Sequence, residues 1–284
     1  VGGSGSIKAM IGYGFLKRIR EAGVPIQKYI LSSGSSFMAL EDIVDDKEEL
    51  ERFVLDIPNL IQRRQLSKTQ RVLINSLRGA AARQAEYWAY TKLSMGHVSV
   101  QTSAGVVTVN QGIYITDKLD EKLRKYCTRS DGQRIKASEH PQAVILAQQF
   151  GRGTVVLGRD FPDMYLDEAI SSAIRIRQYF PPMVYEKDGK PHILMDAMGP
   201  GYFPLRKDLL EGTKGPVIAL LYGHQEKGEI DATKVDLSGL VGYFRNQSYQ
   251  DATANTEFVE IHTQWVAGTT PALLTGKKDN KVYL

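Results

Sequence analysis

Apolar positions in this chain recur in two rhythms, and the two alternate along its length. Helical spacing over residues 8–22 ends at Gly23, where a glycine commonly closes a helix. A short apolar run over 28–32 predicts a buried strand, and a second run over 34–44 predicts a helix directly behind it. From 47 to about 92 the pattern is helical throughout, with a break predicted near Ser67. Val98-Ser99-Val100-Gln101 and Val106-Val107-Thr108-Val109 alternate apolar and polar residues about Ser103-Ala104-Gly105, which predicts a β-hairpin. A helix is expected over 117–127 and a polar loop over 128–139. Strands are expected over 144–147 and 154–157, joined through Gly151-Arg152-Gly153, and a helix over 166–178 stopped by Phe180-Pro181-Pro182. Further strands are predicted over 192–195, 217–222 and 258–266, with a helix over 237–257. Strands interleaved with helices predict an α/β fold with helices on the faces of a sheet.

Composition adds bounds. At 284 residues the chain suffices for one large α/β domain, and it shows no internal repeat or linker. The expected organisation is a single domain over 1–284, with a helical insertion over about 45–95 and the hairpin over about 98–109. A net charge of +4 gives no reason to expect nucleic acid and tolerates contact with an anionic membrane surface. The single cysteine, Cys127, builds no internal disulfide and no zinc cluster, and its helical context places it in the core. No run approaches the ~18–20 apolar residues of a membrane-spanning helix, so a soluble protein is expected. The chain opens at Val1 where a strand-to-loop junction is expected, which predicts further chain upstream. Arg63, Arg64, Lys68, Arg71, Arg78 and Arg83 make the helical stretch basic, either as a solvated face or as a surface for acidic headgroups or a partner.

Three segments carry candidate chemistry. In Leu31-Ser32-Ser33-Gly34-Ser35 a strand breaks into a helix at a serine, the geometry of a nucleophile elbow, although Leu31 and Ser35 stand where that motif has glycines. The simpler reading of the same residues is a serine-rich helix cap. Val1-Gly2-Gly3-Ser4-Gly5-Ser6-Ile7-Lys8 offers small residues, which let backbone N–H groups approach an anion, ahead of a helix N-terminus. In His192-Ile193-Leu194-Met195-Asp196 an apolar strand delivers one carboxylate into a Gly- and Pro-rich turn, a placement suited to a base.

In this order the segments resemble the patatin-like phospholipases. Ser4-Gly5-Ser6-Ile7-Lys8-Ala9 falls on that family's G-G-G-x-[KR]-G loop, and Ser33 on the serine of its G-x-S-x-G. Asp196-Ala197-Met198 falls on its D-G-G, and Pro204 on the proline beyond it. The stretches 14–24, 144–158 and 169–182 are similar to the family's first helix ending, its paired strands and its A-[IV]-x-A-S-x-x-[IV]-P segment. The resemblance implies a three-layer α/β/α sandwich with a mostly parallel central sheet and nucleophile-elbow topology. It implies a Ser33–Asp196 dyad without histidine, which cleaves a lipid acyl ester through an acyl-enzyme. It implies an oxyanion hole of backbone N–H groups near Gly5, Ser6 and Gly34, with Lys8 assisting. Phospholipid or another acyl lipid is the implied partner, with peripheral membrane contact and neither metal nor organic cofactor. Arg175, Tyr179, Phe180, Met183 and Tyr185 either face lipid or pack beneath the 189–199 strand and turn.

The departures from the family pattern define expectations of their own. Leu31 would crowd the elbow, Ser35 replaces the glycine of closest helix–strand packing, and Met198 would narrow the space beside Asp196. One alternative is a Ser-His-Asp α/β-hydrolase drawing on His192, His224 or His262, though Ser33 leaves room for only one or two strands before the elbow. The other is a catalytically decayed member of the fold, kept as a binding or assembly module.

Overall fold

The computed structural model describes residues 6–197, 207–210, 217–222 and 258–263. Among them, α1 (Ser6–Glu21) is closed by Gly23 at φ 69 and leads to β1 (Tyr29–Ser32), whose four residues are all buried. A 3-10 helix, Ser33–Asp42, follows without a break and is buried over nearly its whole length. The predicted helix is therefore present in the tighter, three-residue-per-turn form. Helix α2 (Lys47–Leu60) is capped by the Asp46 carboxylate, which accepts from the Glu49 N–H at 2.9 Å, and buries Leu50, Phe53, Val54 and Ile57.

The chain then leaves the core. Strand β2 (Gln62–Arg63) precedes α3 (Lys68–Ser76), α4 (Gly79–Ser94) and the predicted hairpin, β3 (His97–Thr102) with β4 (Gly105–Asn110). The excursion closes where β5 (Tyr114–Ile115) pairs antiparallel with β2. Gly112 sits at this closure with φ 66, and a Cβ there would lie 2.6 Å from the Phe180 backbone, so only glycine fits. Because α2 belongs to the core, the part of the helical stretch that stands away from it begins after Leu60.

The remaining elements build the sheet. They are α5 (Asp117–Tyr126), β6 (Ala143–Gln149), β7 (Gly153–Val156), the single turn α6 (Leu157–Asp160), α7 (Leu166–Ala173), β8 (Met183–Lys187) and β9 (Lys190–Asp196). Five strands form one sheet in the order β1-β6-β9-β8, with β7 also paired to β6. Strand β1 runs parallel to β6, whereas β7 and β9 run antiparallel to β6 and β8 antiparallel to β9. Beyond these, β10 (Val217–Tyr222) and β11 (Phe258–Thr263) pair parallel. The fold is thus mixed α/β with a partly parallel sheet. Antiparallel pairs enter it because the links 150–152 and Asp188-Gly189 are far too short for the crossover that parallel strands need. The predicted helix over 166–178 stops at Ala173, and the helix expected over 237–257 lies outside the described residues.

One core joins these layers. Phe37 of the 3-10 helix, Phe53 of α2 and Tyr126 of α5 meet edge to face at 6.1 and 5.0 Å, and Leu31, Ile145, Ile170 and Leu194 continue the cluster through sheet and helix. Cys127 is fully buried there, and burial, reinforced by Asp167, pushes its thiol above the ordinary range. Two outcomes are expected. Leu31→Ala, at a site 1% exposed, should lower the unfolding free energy by about 2–5 kcal/mol in urea titration. Cys127 should resist Ellman's reagent in the native protein and react with the same urea midpoint as the loss of helical circular dichroism.

Candidate active site

Strand β1 delivers Ser32 in an extended conformation, φ −145 and ψ 145, and the next residue reverses it: Ser33 has φ 55. Left-handed backbone costs an L-residue about 1–2 kcal/mol and persists only where the surroundings fix it. Here Ser35 does so. Its hydroxyl accepts from the Ser32 N–H at 2.9 Å and donates to the Ser32 carbonyl at 2.7 Å, which clamps the turn on both sides of the strained residue. The Ser35 side chain therefore holds the turn. Leu31, expected to crowd the turn, packs in the core cluster. Phe37, Met38, Ala39 and Leu40, all buried, anchor the helix behind Ser33, and α1 packs along it.

The sheet register brings Asp196 to the same place. Ser32 is paired with Leu146, and Asp196 at the end of β9 is paired with the next residue of β6, Ala147. Ser32 and Asp196 are each one strand spacing from β6, so their backbones lie within about 10 Å of each other. Both site residues are buried, Ser33 being 2% and Asp196 4% exposed.

Asp196 is seated by a group that the sequence pattern does not reveal. Its N–H donates to the Arg175 carbonyl at 3.0 Å. The Arg175 side chain is itself buried, and its guanidinium donates to the Asp120 carboxylate at 2.7 Å and to the Ser171 hydroxyl at 2.9 Å. Asp120 also accepts from Ser171 at 2.6 Å and from the Thr116 hydroxyl at 2.7 Å. This network ties the start of α5 to the end of α7 and fixes the backbone on which Asp196 rests. Arg175 therefore does not face lipid. Its companions pack as well: Tyr179 stacks on Tyr114 at 6.4 Å, Phe180 lies 5.7 Å from the same ring, and Tyr185 meets Phe161 at 5.5 Å. Burial raises the pKa of Tyr114, Tyr179 and Tyr185 alike, as expected of phenols kept from water.

Gly34 follows Ser33 directly and is buried in the first turn of the 3-10 helix. Ser6 and Lys8 fall in the first turns of α1, while Gly5, Met198 and Pro204 lie outside the described residues. His192 pairs its Nδ1 with Gln149 Nε2 at 2.9 Å and sits edge-on to Phe161 at 5.2 Å. Burial and the nearby Lys187 and Arg152 lower its pKa. His224 lies outside the described residues. Among the described residues no three His, Cys, Asp or Glu side chains converge as a metal site, and no helix is long and apolar enough to cross a membrane. A cavity of about 560 Å³ lined by Glu49, Arg52, Phe53, Asp56, Lys122 and Tyr126 contains neither Ser33 nor Asp196.

No protein-family model matches this chain, and no curated protein matches it in sequence.

The strain at Ser33 yields a stability test. Ser33→Ala keeps the left-handed penalty and Ser33→Gly removes it, so the glycine variant should unfold at higher urea, by about 1 kcal/mol after the greater chain entropy of glycine is counted. Equal or reversed midpoints would show that the serine is not held in this conformation.

Proposed function

We propose that this chain is a lipid acyl hydrolase of the patatin-like type, acting through a Ser33–Asp196 dyad. The carrying observation is the coincidence of a buried serine at φ 55 and a buried strand-end aspartate, both at the Leu146-Ala147 step of β6. A serine used only as a helix cap has no need of left-handed backbone, whereas an elbow nucleophile has it by construction. In this reading the patatin-like α/β/α sandwich is the scaffold, and the partly parallel sheet is its centre.

The chemistry follows from the two side chains. The Ser33 hydroxyl adds to the ester carbonyl while the Asp196 carboxylate takes its proton. Collapse of the tetrahedral species breaks the bond to the alkoxy oxygen, and Asp196 returns the proton to the departing alcohol. Water then adds to the acyl-serine with Asp196 again as base, releasing the carboxylic acid and restoring both groups. Burial suits a carboxylate to this work, because poor solvation strengthens it as a base. Backbone N–H groups near Gly34, with those near Gly5 and Ser6, supply the oxyanion donors in this reading, and Lys8 adds charge. The substrate class is phospholipid or another acyl lipid.

One observation favours a second reading, a decayed member of the fold that serves as a binding module: Ser33 and Asp196 are 2% and 4% exposed. A fluorophosphonate decides between them. Attack by the serine oxygen displaces fluoride and leaves a phosphonyl ester readable by intact mass and peptide mapping. A single adduct on Ser33, formed at least about 100-fold more slowly in Asp196→Ala, is the expected result. A folded protein that takes no adduct, or takes it elsewhere, overturns the hydrolase reading.

A further inference from the structure

The excursion between β2 and β3 is chemically unlike the rest of the chain. Residues 62–95 hold seven Lys or Arg and one acid, Glu86, a net +6 within a chain of net +4, so the remainder carries −2. Glu86 is already paired with Arg63 at 3.0 Å, and the Arg63 guanidinium also lies 3.4 Å over the Tyr90 ring. Lys68, Arg71, Arg78, Arg83 and Lys92 have no ion-pair partner among the described residues.

Apolar side chains stand out among these cations. No residue of α3 is buried, with Val72 62% and Leu73 59% exposed. Helix α4 and its C-cap present Tyr87, Trp88 and Met95, each more than 60% exposed, and the Tyr87 and Trp88 rings meet edge to face at 6.0 Å. Residues 84, 88, 92 and 95 share one face of that helix, which interleaves Gln84, Trp88, Lys92 and Met95. A solvated face would be polar throughout, and a face made for the core would carry no cations.

We propose that the α3–α4 pair is the docking surface of this protein for an anionic lipid membrane. Unpaired cations are attracted to acidic headgroups, while exposed Trp, Tyr and aliphatic groups insert at the headgroup boundary. Charge disfavours a second copy seated face to face, since that would bring two basic surfaces together. A fluid surface needs no matching groove, which suits a mixture of cations and apolar groups on two exposed helices. The surface goes beyond the hydrolase reading and does not depend on it, because binding uses neither Ser33 nor Asp196.

The test uses Ser33→Ala protein, so that no vesicle is hydrolysed. It is co-sedimented with phosphatidylcholine vesicles, and with vesicles in which roughly one third of the lipid is phosphatidylserine. Binding to the anionic vesicles should be at least about tenfold tighter, and salt should weaken it. Adding Lys68→Gln with Arg71→Gln should weaken it about tenfold or more, and Trp88→Ala by about tenfold through loss of the inserted ring. Adding Arg18→Gln, at an exposed cation paired with Glu21 on α1, should leave binding unchanged. Circular dichroism identical to that of the parent certifies that each variant is folded. Equal affinity for both vesicle types, binding to neither, or indifference to the Lys68, Arg71 and Trp88 changes overturns the proposal. Failure of the fluorophosphonate reaction alone leaves this membrane surface intact and refutes only the hydrolase reading.

Discussion

Strand β6 bears three ladders at once, and the candidate site exists because of where they meet. Its first four residues pair with β1, while its last three pair with β7 and β9 together. The changeover falls at Leu146 and Ala147, both fully buried. A side chain shifted by one residue in either ladder would flip to the opposite face of the sheet, so the hydrophobic core that fixes the register also fixes the approach of Ser33 to Asp196. The geometry of the site is thus inherited from core packing.

The constraint is reinforced from the helical side by a partly buried ion pair. Arg175 and Asp120 lie 55 residues apart, and removal of either would leave a charged group facing its former partners with nothing to balance it. Ser171 and Thr116 donate further hydrogen bonds to the Asp120 carboxylate. Because the Arg175 carbonyl also receives the Asp196 N–H, disturbance of the pair is transmitted to the site through one backbone contact. A pattern of residues along the chain gives no hint of that contact.

Much of the secondary structure was legible because it rests on local rules. Gly23, Ser103-Ala104-Gly105 and Gly151-Arg152-Gly153 mark a helix end and two turns through positive-φ glycines, and each stands where those residues predict. Strand β8 was not legible: Met183–Lys187 is only half-buried and ends in charges, and its pairing with β9 is what makes it a strand. At the elbow, the turn from strand to helix could be read from the apolar runs on either side of Ser33. The stabilising role of Ser35 could not, because the motif defines that position by what it lacks. The basic character of 62–95 was visible, but its exposed aromatic and aliphatic partners were not, since periodicity alone does not distinguish a helix face that meets protein from one left uncovered.

The long reach of the β1–β6 ladder bears on how the chain is made. Tyr29–Ser32 emerges from the ribosome more than one hundred residues before the strand that pairs with it. At synthesis rates of roughly 5–20 residues per second this leaves an apolar strand without a partner for several seconds or more. Helix α1 and the segment through Asp42, which pack on each other in the folded protein, are both made long before β6. Ser33 is thus made early and Asp196 late, with β6 between them, so truncated or stalled chains would carry the strand-end serine without the aspartate.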